Sequence, residues 1–223
     1  MKKCKGYSKM LFLAVLMTSV LGVSAQAAPL LGTAQNFAVL AGPAVTLTNS
    51  TVTGDVGVAL STAFTNTEST IAGNIYAGDV VAAQAYNDFL SAYDALAAEQ
   101  CDVVLTGTLA DQTLAPGVYC FDAAATLTGQ LILAGPSNGI WIFKIGTSGT
   151  GALTGTSFSV VMDNGGQARN VYWQVAEGVT MTDSKFKGTI LAGAAITMTR
   201  GTFVGQALAE AAVTLTGVAV SMP

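Results

Sequence analysis

From Val171 to Pro223 the chain repeats with a period of 17 residues. Thr180, Thr197 and Thr214 are separated by 17, and so are Thr182, Thr199 and Thr216. Met181, Met198 and Leu215 form an apolar column between them. Val179, Ile196 and Val213 form a second, and Phe186, Phe203 and Val220 a third. A short fixed period means coils stacked one on the next, each burying its apolar side against its neighbours. Apolar–Thr–apolar–Thr has period two, which is a strand with apolar side chains inward and threonines outward. The repeat therefore predicts a solenoid of parallel strands carrying a ladder of paired threonines.

Thr-x-Thr is not confined to the clean repeats. It recurs at Thr46/Thr48, Thr51/Thr53, Thr65/Thr67, Thr106/Thr108, Thr126/Thr128 and Thr154/Thr156. The spacing of these earlier pairs is irregular, so the first coils must carry loops of different length.

Residues 1–27 read as a secretory signal peptide. Lys2, Lys3, Lys5 and Lys9 give a basic start, Met10 to Val23 an apolar run, and Ala25-Gln26-Ala27 a cleavage site. The run is shorter than the ~20 residues a membrane span needs, and no later segment is long and apolar enough. Cleavage after Ala27 leaves 28–223 as a single domain, secreted or periplasmic and without a membrane partner. Four of the nine basic residues leave with the leader while all thirteen acids stay, so the mature charge is 5 − 13 = −8. Such a balance argues against nucleic acid and anionic membranes. Charged residues make up only 10% of the chain, so Gly, Ala, Ser and Thr must cover much of the surface. That suits contact with something neutral and ordered. Cys101 and Cys120 are an even pair in an exported chain and are expected to form a disulfide.

Leu30 to Val58 is strand-like, and 59–77 is polar and irregular. Asp79 is a good helix N-cap. Ala82, Tyr86, Phe89, Tyr93 and Leu96 then recur at spacings of four and three, which predicts one helix over 79–99 with a buried stripe. Beyond Cys101 the chain reads as strands and turns. Asp183 and Arg200 are 17 apart and should be neighbours on adjacent coils.

Six segments taken together resemble the microbial ice-binding protein family. They are LGTAQNFAVLAGPAVTLT (31–48), TGDVGV (53–58), LAPGVY (114–119), WIFKIG (141–146), NVYWQV (170–175) and FKGTILA (186–192). They occur in the family's order and span nearly the whole mature chain. The resemblance implies a mainly β fold, a discontinuous right-handed parallel β-helix of triangular section. One long helix lies alongside, with a small capping insertion at about 59–77. It also implies that the N-terminal coil stacks among C-terminal coils, that the disulfide secures the region after the helix, and that the partner is ice, met through a flat threonine-rich face with T-A/G-x-T/N-like motifs. Here the aligned positions read Thr182-Asp-Ser-Lys, Thr199-Arg-Gly-Thr and Thr216-Gly-Val-Ala, two of which carry charges.

The candidate contact residues are Thr126, Thr128, Thr154, Thr156, Thr180, Thr182, Thr197, Thr199, Thr202, Thr214 and Thr216, presented by a monomer. Threonines two apart along a strand are ~6.6 Å apart, and neighbouring coils ~4.8 Å, both close to repeats on faces of hexagonal ice. Each hydroxyl can hold a water, and β-branching fixes χ1, so little entropy is lost on contact. The alternative is an adhesive module meeting glycan or a cell surface through the same face. No enzyme, metal or cofactor is expected. The chain has no histidine, its acids are scattered, and it has neither a nucleophile motif nor a phosphate loop.

Overall fold

The computed structural model describes residues 27–106 and 108–223. The leader read at 1–27 thus lies outside the described residues except for Ala27. Nineteen strands form one continuous sheet that coils around a single core, and every pairing is parallel. Parallel pairing needs crossovers, which in one sheet run right-handed. Each coil contributes three strands, one to each of three faces, which gives a triangular β-helix.

The coils are not stacked in chain order. One face runs through Val103–Val104, Gly117–Phe121, Trp141–Ile145, Val171–Val175, then 189–192 and 206–209, and ends with Phe37–Ala41, Asp55–Val58 and Ile75–Ala77. The N-terminal strands thus continue the stack below the last C-terminal coil. Val39 pairs with Ala207, Thr46 with Thr214 and Thr51 with Ala219.

The chain must then return from one end of the stack to the other. The helix Val80–Ala98 does this. Its 19 residues span about 28 Å at ~1.5 Å per residue. Asp79 caps it by accepting from the Ala82 N–H at 2.9 Å. Ala82, Tyr86, Phe89 and Leu96 are buried, against Leu40, Val118, Ile142, Leu191 and Leu208 of the face beneath. Tyr93, placed on the same stripe by its spacing, is half-buried and donates its hydroxyl to the Val175 carbonyl. The 3₁₀ turn Gly32–Asn36 is tied to the helix by Asp88, whose carboxylate accepts from the N–H and the hydroxyl of Thr33, both at 2.7 Å.

Cys101 and Cys120 are joined and pin the end of the helix to the second strand of the stack. A loop of this length is worth about 3 kcal/mol in the chain-entropy account. Replacing both cysteines with serine should lower the melting temperature by about 6–12 °C, at ~2–4 °C per kcal/mol for a chain of this size. Calorimetry on the oxidised protein and the double variant measures it; a shift under 2 °C would mean that the helix end is held by packing alone.

The segment 59–77, expected to be an irregular cap, is instead a regular coil. Ala63–Thr67, Thr70–Ala72 and Ile75–Ala77 pair in register with Ala44–Thr48, Thr51–Thr53 and Asp55–Val58. It closes one end of the stack. That position explains its polar composition: Asn66 pairs with Leu47 in an otherwise apolar inward column, and its amide bonds Ser69 instead of filling a core.

Inside the tube, aromatic rings stack from coil to coil. Phe143 and Trp173 lie 4.0 Å apart and nearly parallel, with Tyr119 beyond Phe143 and Phe186 and Phe203 beyond Trp173. The three apolar columns expected from the repeat are all buried.

Candidate functional site

The threonine pairs converge on one face. In stacking order it is built from Ala125–Leu127, Leu153–Thr156, 179–182, 196–199, 213–216, Ala44–Thr48 and Ala63–Thr67. The first threonine column reads Thr126, Thr154, Thr180, Thr197, Thr214, Thr46 and Thr65. The second reads Thr156, Thr182, Thr199, Thr216, Thr48 and Thr67. Thr128 extends it, directly following the Leu127–Gly155 pair, and its hydroxyl lies 3.4 Å from that of Thr108. All of these side chains are exposed or half-exposed.

A third column flanks the first on the same face. It consists of Ala124, Ala152, Gly178, Ala195, Ala212, Ala44 and Ala63, each one residue before the first inward-facing apolar position of its strand. Backbone bonds step from coil to coil along it, from Leu153 N–H to Gly178, Val179 N–H to Ala195, and Ile196 N–H to Ala212. The face is therefore Ala/Gly, Thr, Thr across seven coils, with no charged side chain in the three columns. At ~4.8 Å per coil the ladder is about 29 Å long.

The corner after the second threonine explains where the charges go. Gly129, Ser157, Asp183, Arg200, Gly217, Asn49 and Glu68 occupy it, one per coil, all with φ between 47° and 69°. This left-handed turn suits glycine and asparagine and strains the others. It swings each side chain off the threonine plane. Arg200 and Asp183 meet there as expected, Nε to Oδ1 at 2.6 Å and Nη2 to Oδ2 at 2.8 Å. The Arg200 hydrogen bond holds the Asp183 carboxyl below its ordinary range. Lys185 sits on the next face, paired with Ser159 and Thr202. The charges of the Thr-x-x motifs therefore lie at the corner or around it, not among the threonines.

Two features lock the corner. The Ser184 hydroxyl donates to the Thr182 carbonyl at 2.9 Å and accepts from the Phe158 N–H. Ser50 does the same with Thr48 and Val218.

Ten of the eleven threonines expected from sequence lie on this face; Thr202 lies on the adjacent one, between Lys185 and Ala219. Thr46, Thr48, Thr65 and Thr67 belong to the ladder but were not among the candidates. Thr51-x-Thr53 is on the adjacent face, beside Ala219 and Ser221. Among the described residues no cluster of three acids or cysteines is placed to hold a metal.

The model of the Ice-binding-like family matches residues 39–221, most of the chain and all of this face from Ala44 onward. The chain belongs to the Ice-binding-like family. A relative named ice-binding protein from Nostoc sp. (strain HG1) is 40% identical over 194 residues, covering 83% of this chain and 71% of the relative. Ice-binding protein K3-B1 of Typhula ishikariensis is 32% identical over 219 residues, covering 85% and 88%. Among solved structures, an ice-binding protein from the Antarctic ascomycete Antarctomyces psychrotrophicus superimposes with a TM-score of 0.83 at 32% identity, covering 88% of this chain and 99% of that one. This ice-binding-like chain thus shares its architecture over nearly the full length of that relative.

Proposed function

We propose that the protein adsorbs to ice through the Ala/Gly–Thr–Thr face and so inhibits ice growth and recrystallisation. The observation that supports this most is the two-column threonine ladder, uninterrupted over seven coils and free of charge. Each threonine presents a methyl and a hydroxyl in one χ1 state. Waters held at the hydroxyls share the ~4.8 Å by ~6.6 Å lattice of the strands. Many weak contacts then add on one rigid plane, and an adsorbed molecule curves the advancing ice front around it. The Ala/Gly column leaves no side chain standing above the threonines. Relatives named as ice-binding proteins support the same partner.

The protein acts outside the cytoplasm as a monomer, its leader removed after Ala27. The Cys101–Cys120 disulfide fits an oxidising compartment.

The mature protein at micromolar concentration should hold ice crystals small during annealing in sucrose, and a fluorescent conjugate should enter a growing ice hemisphere. Coarsening at the rate of a buffer control, together with exclusion from the hemisphere, would overturn the proposal. Retention on a glycan array in place of ice activity would move the reading to the adhesive module.

A further inference from the structure

The coil that ends the stack, 59–77, pairs on one side only. Ala63–Thr67, Thr70–Ala72 and Ile75–Ala77 pair with Ala44–Thr48, Thr51–Thr53 and Asp55–Val58, and among the described residues no strand lies beyond them. Three strand edges of one coil thus turn unpaired N–H and C=O groups the same way. Natural sheet edges are blunted by charges, proline or bulges. AFTNT, TIA and IYA contain neither a charge nor a proline, and their register runs without a break. The core is open there as well. Phe64, Ile71 and Ile75 face inward in register with Val45, Val52 and Val56, which are fully buried. Phe64 and Ile71 are only half-buried, and Ile75 is 48% exposed. The opposite end differs. Its outermost strands are Val103–Val104 and Gln112–Leu114, the described residues between them are in no strand, and the Cys101–Cys120 disulfide stands beside it.

An open strand edge is satisfied by another edge, and the same edge of a second copy matches this one. A two-fold axis through Thr65, normal to the threonine face, makes the pairing antiparallel. It sets Thr65 against Thr65, and Ala63 against Thr67 of the second copy, so outward residues stay outward. It also sets Thr70–Ala72 against Ile75–Ala77 of the second copy, enclosing Phe64, Ile71 and Ile75 between two cores. The joint is isologous and the other end is unlike it, so assembly stops at two. The two threonine faces then form one plane of fourteen coils, about 62 Å long at ~4.8 Å per coil. Strands of five, three and three residues fall well short of the ~20–30 residues a side of a stable interface. The protein is therefore a monomer in dilute solution. On ice, neighbours are held with their faces already coplanar, which lowers the orientation cost and raises the effective concentration.

We infer that this edge docks on the same edge of a second copy at the ice surface, joining two threonine ladders end to end. The inference rests on the ice-adsorption reading. Thr65→Cys is treated with a short bismaleimide, in solution and after adsorption to ice, and covalent dimer is read on a denaturing gel. Dimer should be at least tenfold richer in the ice fraction. Thr126→Cys, at the far end of the same column, controls for crowding and should give at most a tenth as much on ice. Adding Ile71→Lys and Ile75→Lys puts like charges across the joint and should cut Thr65 cross-linking at least fivefold. Mixing that variant with its Ile71→Glu, Ile75→Glu counterpart should restore it. A melt checks that each variant is folded, and Ile75→Lys alone, at the more exposed site, replaces a double variant that is not. The pairing is overturned by equal yield in solution and on ice, by equal cross-linking at Thr65 and Thr126, or by lysines without effect. Absence of Thr65 cross-linking in protein that has entered ice also overturns it, and all four leave adsorption standing. Exclusion of the wild-type protein from ice overturns both readings.

Discussion

Thr197→Tyr should reduce thermal hysteresis and recrystallisation inhibition at least tenfold without unfolding the protein. Thr197 is the fourth of seven threonines in its column, so the substitution falls at the centre of the ladder. A phenol ring stands several ångströms above the β-branched plane and lifts the coils on both sides away from ice. Because contact is cooperative over a rigid surface, one raised point at the centre removes more than one site's share. The side chain points outward and is half-exposed, so the stability change should stay within ~0.5 kcal/mol. Thr214→Tyr, one coil on, should behave the same, and Lys185→Tyr on the adjacent face should not. Hysteresis and a circular dichroism melt on each variant decide it. If activity survives both threonine variants with melts unchanged, the contact plane is elsewhere, and the face carrying Thr202 is next.

The sequence revealed this face unevenly, for physical reasons. From Val179 onward the coils repeat at a constant 17 residues, so Thr180, Thr197 and Thr214 align by spacing alone. Upstream, 28 residues separate Thr126 from Thr154, although they are partners, because the coil between them carries the turn that includes Gly146 and Gly149. The step from Thr214 to Thr46 is invisible in chain order, since it joins the last coil to the first. Thr46, Thr48, Thr65 and Thr67 escaped for that reason. A local signal did exist: each pair precedes a corner in the left-handed region, and Asn49 suits it as Gly129 and Gly217 do. The helix was legible to within a residue at each end, because the Asp79 cap and the stripe from Ala82 to Leu96 depend only on nearby chain. The coil at 59–77 was not, because a terminal coil tolerates the polar Asn66 where the inner coils carry Leu127, Gly155, Met181, Met198, Leu215 and Leu47.

The same logic separates what holds the fold from what meets the partner. Trp173→Ala should cost about 3–5 kcal/mol, the range for emptying an aromatic site in a packed core. Trp173 is fully buried, stacked 4.0 Å from Phe143 and tilted against Phe186 at 4.9 Å, and its indole N–H donates to the Lys187 carbonyl at 3.0 Å. Truncation leaves a void between coils that backbone pairing prevents from closing, so relaxation recovers little. The melting temperature should fall by about 6–20 °C, at ~2–4 °C per kcal/mol. Trp173→Phe keeps the stack and loses the donor, and should fall between the two. Ice activity gives the opposite pattern. Trp173 lies under the helix-bearing face, not the threonine strands, and the ladder spacing is set by the backbone bonds of 179–182, 196–199 and 213–216. At 0 °C, where Trp173→Ala remains folded, its hysteresis should stay within about twofold of wild type. A folded Trp173→Ala with no hysteresis would show that the aromatic stack, and not the strand ladder alone, keeps the threonine columns flat.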